Sequence, residues 1–93
     1  MTWNRQTVED KVVAVFVKHR QSDVEITPST KIIADLGIDS LGVMEVMAEI
    51  EDEFKQDKFK LLIPDEALKS IETVGHVIAA ITERLEQNGK LSE

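Results

Sequence analysis

Apolar residues recur with a helical period in four separated stretches of this chain. Val8, Val12, Val15 and Phe16 fall at i, i+4, i+7 and i+8, the spacing of one buried helix face. They predict a first helix from about Asn4 or Thr7 to His19, with Trp3 covering its end. Thr7-Val8-Glu9-Asp10 resembles a capping box in which Asp stands for the usual Glu. A second helix is predicted over roughly Ser40 to Phe54. Val43, Val46, Met47, Ile50 and Phe54 form one apolar stripe on it. Leu41, Met44, Glu45, Ala48, Glu51 and Asp52 form another, half apolar and half acidic. One face for the core and a mixed face for a partner is the expectation. Asp39 suits the N-cap, since its carboxylate can accept from the unpaired amides of the first turn.

Ile63-Pro64-Asp65-Glu66 opens a short third helix, with Pro in the first turn and acids at the positive helix end. Thr73 caps a fourth, whose stripe is Val74, Val77, Ile78, Ile81 and Leu85. Asn88-Gly89 ends it, and residues 90–93 are expected to fray. Residues 21–39 make a long connection with turn chemistry at Thr27-Pro28-Ser29-Thr30. Ile26, Ile32, Ile33 and Leu36 make it too apolar for a loose linker, so it should fold back over the core. Gly37 breaks the pattern before the second helix. No stretch alternates convincingly as a strand, and there is no internal repeat. The prediction is an all-α four-helix bundle with a short third helix and a long first connection. It forms a single domain over 1–93, with its core at about 5–87.

Composition narrows the chemistry. A chain of 93 residues can bury one modest core. The absence of cysteine excludes disulfides, thiolate metal sites and cysteine nucleophiles. His19 and His76 lack zinc-ligand spacing and read as surface or helix-end residues. No run is long and apolar enough to span a membrane. The start, Met1-Thr2-Trp3-Asn4-Arg5, has no signal-peptide apolar region, so a cytoplasmic protein is expected.

The net charge is −7, from eighteen acids and eleven bases. Seven of those acids (Asp35, Asp39, Glu45, Glu49, Glu51, Asp52 and Glu53) lie between 35 and 53, where there is no Lys or Arg. Elsewhere acids and bases balance. This argues against nucleic acid and anionic membranes and for partners with basic patches, whose encounter weakens as salt rises. An EF-hand counted from Asp35 fails, because Gly37, Leu41 and Val43 land on ligand positions.

Ser40 stands at the head of the acidic helix, where free amides and the helix dipole favour an anion. Neither histidine is placed by sequence to act as its base. Its neighbours do not form the glycine-x-serine-x-glycine elbow of a hydrolase. Chemistry at Ser40 must therefore come from outside.

Asp35-Leu36-Gly37-Ile38-Asp39-Ser40-Leu41, followed by Glu45 and Glu51-Asp52-Glu53-Phe54, resembles the acyl carrier protein family. Ile63-Pro64-Asp65-Glu66 and Ile71-Glu72-Thr73-Val74 are similar to its third helix and the turn into its fourth. The resemblance runs from the first helix to about Leu85. It implies that Ser40, flanked by Asp39 and Leu41, carries 4′-phosphopantetheine, added from coenzyme A by a phosphopantetheinyl transferase. The thiol of that arm would hold acyl groups as thioesters in fatty-acid, lipid or polyketide synthesis. Asp35, Leu41, Met44, Glu45, Glu51 and Asp52 would dock acyl-transfer, ketosynthase or acyltransferase-type enzymes. Val46, Ile50 and Phe54 match core positions where an acyl chain slides between helices. No metal, no catalytic residue of its own and a monomer are expected.

Two features depart from the family pattern. Gly42 stands where many relatives have an acid, which costs a helix roughly 1 kcal/mol against Ala and removes one docking contact. The stretch 55–62 is about five residues longer than usual. Phe54, Lys58, Leu61 and Leu62 keep helical spacing, so it either extends the second helix or forms a flap over the acyl pocket, with Phe59, Leu61 and Leu62 as core. Both favour a specialised lipid or polyketide pathway over a housekeeping one. The competing readings are a peptidyl or D-alanyl carrier, an unmodified acidic adaptor for basic proteins, and a small serine hydrolase.

Overall fold

Asn4 begins the first helix, because its Oδ1 accepts from the Thr7 amide at 2.7 Å. The computed structural model describes residues 2–56 and 59–92. Helix α1 spans Arg5–His19, so Asn4, and not Thr7, is the cap. Its buried residues are Val8, Val12, Val15 and Phe16, the predicted stripe. Helix α2 spans Ser40–Glu53 and α3 is the single turn Asp65–Leu68, with Pro64 as N-cap. Helix α4 spans Val74–Gln87. Helix α1 packs on both α2 and α4.

Thr73 caps α4 as expected. Its Oγ1 accepts from the His76 amide at 3.1 Å, while His76 Nδ1 accepts from the Thr73 amide at 3.3 Å. A histidine thus fills the reciprocal place usually held by Glu or Gln. At the other end Gly89 takes φ +68°, the left-handed conformation a helix C-terminus favours. The Lys90 amide then donates back to the Leu85 carbonyl at 2.8 Å.

The long connection is stitched to the start of α4. The amides of Ile32, Val74 and Gly75 donate to the carbonyls of Glu72, Thr30 and Pro28 at 3.0, 2.9 and 2.8 Å. Ile32, Leu36 and Ile38 are buried, but Ile33 is 60% exposed. The expectation that Ile33 covers the core is therefore corrected. Adjacent residues in a turn cannot all face inward.

Residues 90–92 depart from the expected fraying. Trp3–Asn4 (β1) pairs in parallel with Leu91–Ser92 (β2), and the Trp3 amide donates to the Lys90 carbonyl at 2.8 Å. The core thus reaches beyond 5–87. Trp3 is buried and meets Phe54 edge to face, with ring centroids 5.3 Å apart. Phe59 lies 6.1 Å from Trp3, and Lys90 Nζ sits 5.5 Å over the Phe59 ring.

The stretch after Phe54 does not extend α2. Phe54 is the C-cap, and the backbones of Gln56 and Phe59 bond to each other. Lys58 lies outside the described residues. Leu61 is fully buried, Phe59 half-buried and Leu62 53% exposed, so Leu62 is not core. Helices α1 and α2 run antiparallel, with Lys18 near Glu49 and Lys11 near Glu53. The Trp3 cluster therefore sits at the end of the bundle away from Ser40. A helix of this length spans about 21 Å. Of the segment expected to extend α2 or cover the acyl pocket, Phe59 lies at this distal end beside Trp3.

Candidate functional site

Ser40 is the first helical residue of α2 and is exposed. Two acids beside it are spent on the backbone. Asp39 Oδ1 accepts from the Gly42 amide at 2.7 Å, and Asp35 Oδ2 accepts from the Lys31 amide at 2.8 Å. These donors offset negative charge next to the serine, which suits an anionic phosphodiester there. Gly37, at φ +70°, turns the chain into this helix start.

Gly42 has a packing reason. A Cβ there would come within 2.8 Å of Ile38 Cγ2 and 3.2 Å of Asp39 Oδ1. Ile38 is buried, so the missing side chain lets the capping loop close onto the first turn. The cost expected of a helical glycine is thus set against close packing that a side chain would disturb.

The predicted docking residues divide. Leu41 and Met44 are 67% and 64% exposed, and Glu45 and Asp52 are exposed beside them. Neither acid makes a hydrogen bond or ion pair among the described residues. Glu51 is different: its Oε2 accepts from the Ile63 amide at 2.9 Å and ties down the chain leading into α3. Glu49 faces α1, 3.5 Å from both Lys18 Nζ and His19 Nε2, and Glu53 lies 3.6 Å from Lys11 Nζ. The acidic run is therefore split between two directions, and only part of it looks outward.

Val46, Ile50 and Phe54 are fully buried and line no opening beside Ser40. The open apolar cleft lies one helical turn from Ser40, at Val43. It is lined by Ile32, Ile33, Ala34, Val43 and Ile71, is bordered by exposed Lys31 and Glu72, and measures about 200 Å³. Sequence reasoning missed Ile33, Ala34 and Ile71 as wall residues. They come from separate loops, and no periodicity links them. Val43 was legible only as part of the core stripe.

Among the described residues no group of three or more His, Asp or Glu is placed to hold a metal ion. No helix among them is long and apolar enough to cross a membrane.

Known proteins match this chain along most of its length. A family model described as a phosphopantetheine attachment site matches residues 12–81. An acyl carrier protein of Phenylobacterium zucineum is 37% identical over 79 residues, covering 84% of this chain and 94% of that protein. One from Rickettsia bellii is 36% identical over 77 residues, covering 82% and 84%. The meromycolate extension acyl carrier protein of Mycobacterium tuberculosis is 39% identical over 69 residues, or 74% of this chain. The match covers 56% of that relative, so the chain spans little more than half its length. With an exposed serine at a capped helix start inside the matched span, the chain belongs to the acyl carrier protein family, whose members are carriers, not enzymes, and bear covalent 4′-phosphopantetheine.

Proposed function

We propose that Ser40 is the attachment point and that the chain carries acyl intermediates for fatty-acid or related lipid synthesis. The observation that supports this most directly is the exposed Ser40 at the first position of α2, held by the Asp39 cap. In loading, Ser40 Oγ bonds to the β-phosphorus of coenzyme A. The bond from that phosphorus to 3′,5′-ADP breaks, 3′,5′-ADP leaves, and the hydroxyl proton passes to a base on the transferase. When bound, the arm supplies the thiol this cysteine-free chain lacks, and acyl groups ride on it as thioesters.

Leu41, Met44, Glu45 and Asp52 form the docking face for enzymes with basic patches. Apolar contacts anchor it, and the two acids speed encounter. Asp35 and Glu51, engaged by backbone amides, add to the field without offering a free carboxylate. The cleft at Val43 and Ile71 receives the start of the acyl chain. Tethering raises the effective concentration of the acyl group at each partner. We place this traffic in the cytoplasm, with the carrier acting as a monomer.

The test is the intact mass of the purified chain after incubation with coenzyme A and a promiscuous phosphopantetheinyl transferase. One phosphopantetheinyl increment is expected, absent in Ser40→Ala. A folded wild-type chain that gains no increment with several transferases would be an acidic adaptor instead.

A further inference from the structure

We infer that the groove between α1 and α4 is a second docking site, which takes a lysine- or arginine-bearing segment of a partner protein. The site does not involve Ser40, so it stands or falls apart from the carrier reading. The groove measures about 420 Å³, within the range of roughly 300–1,000 Å³ that ligand sites occupy. Pro28, Ile78 and Ala79 give it an apolar floor. No residue lining it comes from α2 or α3.

One end of the groove is fixed by backbone contact. The Gly75 amide donates to the Pro28 carbonyl at 2.8 Å, and a Cβ at Gly75 would come within 2.7 Å of that oxygen. The Pro28 loop therefore sits tightly on the first turn of α4, and the groove is formed before anything binds.

Thr82 is the side chain that points to a ligand. It lines the groove and is only 9% exposed. Its hydroxyl makes no hydrogen bond among the described residues, yet the oxygen is not sealed in the core. Its open side is the groove. An apolar occupant would leave that hydroxyl unpaired, which costs free energy, so the occupant must bring a polar group to it.

The rim decides the sign of that group. Glu9 from α1 and Glu83 and Glu86 from α4 stand around Thr82. The Glu9 carboxylate has no partner among the described residues. Glu83 accepts from Gln87 at 3.4 Å, and Glu86 lies 3.5 Å from Arg5. Three carboxylates against one guanidinium favour a cation and disfavour an acidic segment or an anionic lipid surface. Lysine and arginine heads donate N–H and accept nothing, so they suit Thr82 Oγ1 and the carboxylates together. Their alkyl stems can lie along Ile78 and Ala79. A protein seated here leaves Ser40, Leu41 and Met44 open. The carrier is then held by its back while its front serves another enzyme, at a raised effective concentration.

The experiment titrates the full ¹⁵N-labelled chain with a short amidated peptide of lysine, leucine and alanine, followed by amide chemical shifts. Saturable shifts are expected at Gly75, Ile78, Ala79, Thr82 and Glu83, weakening as salt rises. Thr82→Val, which keeps the shape and removes the hydroxyl, should weaken binding about fivefold. Ala79→Arg, which places a cation of the chain's own in the groove, should abolish these shifts. Ser40→Ala should bind the peptide as the wild type does. Shifts confined to Leu41, Met44, Glu45 and Asp52 overturn the inference. So does equal binding of a peptide with glutamate in place of lysine, or binding unchanged in both Thr82→Val and Ala79→Arg.

Discussion

The two ends of α2 are held in place by opposite means. At the Ser40 end the fixing bonds are local. Asp39 reaches three residues forward to Gly42, Asp35 four residues back to Lys31, and Leu41 and Met44 stay in solvent. At the Phe54 end the fixing contacts are remote. Trp3, Phe59 and Lys90 converge there from the start, the middle and the end of the chain. Short hydrogen-bonded loops can present a serine without burying it. A buried aromatic cluster stabilises the bundle but offers nothing to a partner. The molecule keeps its exposed serine and its aromatic cluster at separate ends, so each can be altered alone.

That separation predicts a double dissociation. Ser40→Ala should abolish the phosphopantetheinyl increment completely, yet change stability by less than about 0.5 kcal/mol, as surface substitutions do. Trp3→Ala should do the reverse. Losing a buried Trp costs about 3 kcal/mol, measured by urea denaturation, while the folded fraction is modified at the normal rate. Trp3→Ala that folds normally but resists the transferase would show that the two ends are coupled.

Next in size is the docking face. Glu45→Lys combined with Asp52→Lys should slow transfer to a partner enzyme by about tenfold at low salt, through lost electrostatic steering. The deficit should shrink as ionic strength rises. A fall in melting temperature that parallels the lost transfer would mean that these acids serve folding instead.

Smaller effects probe the capping loop. Asp39→Ala should destabilise by about 1 kcal/mol, the usual cost of losing an N-cap, with Asp39→Asn recovering most of it. Both are read by thermal melting of the apo form. Gly42→Ala sets two small terms against each other. It removes a helix penalty of about 1 kcal/mol but brings a methyl group within 2.8 Å of Ile38. A slight net loss of stability is expected; a gain would show that Ile38 has room to move.

Much of the fold was legible because its determinants are local. The stripe of Val8, Val12, Val15 and Phe16, the Asp39 and Thr73 caps, and the Asn88-Gly89 stop are each written within a few residues. The serine could be singled out for the same reason, since a helix start and its cap are neighbours in sequence. What the residues alone misjudged depends on orientation. Leu61 and Leu62 are adjacent and equally apolar, but only Leu61 faces inward. Glu45, Glu49 and Glu51 read as one acidic run, yet Glu49 turns to α1 and Glu51 to the Ile63 amide.

The amino-acid order by itself determined four helices, the Asp39 and Thr73 caps, the serine at the head of the acidic helix and the family to which they point. Capping bonds and apolar periodicity act over one or two turns, and nothing distant can easily override them. Only the tertiary structure decided that Trp3 and Leu91 lie side by side, that Leu61 is buried while Leu62 is not, and which carboxylates remain free. Those outcomes join residues far apart in the chain. They follow from burying aromatic surface and matching backbone donors once the helices have packed, and no local pattern encodes that.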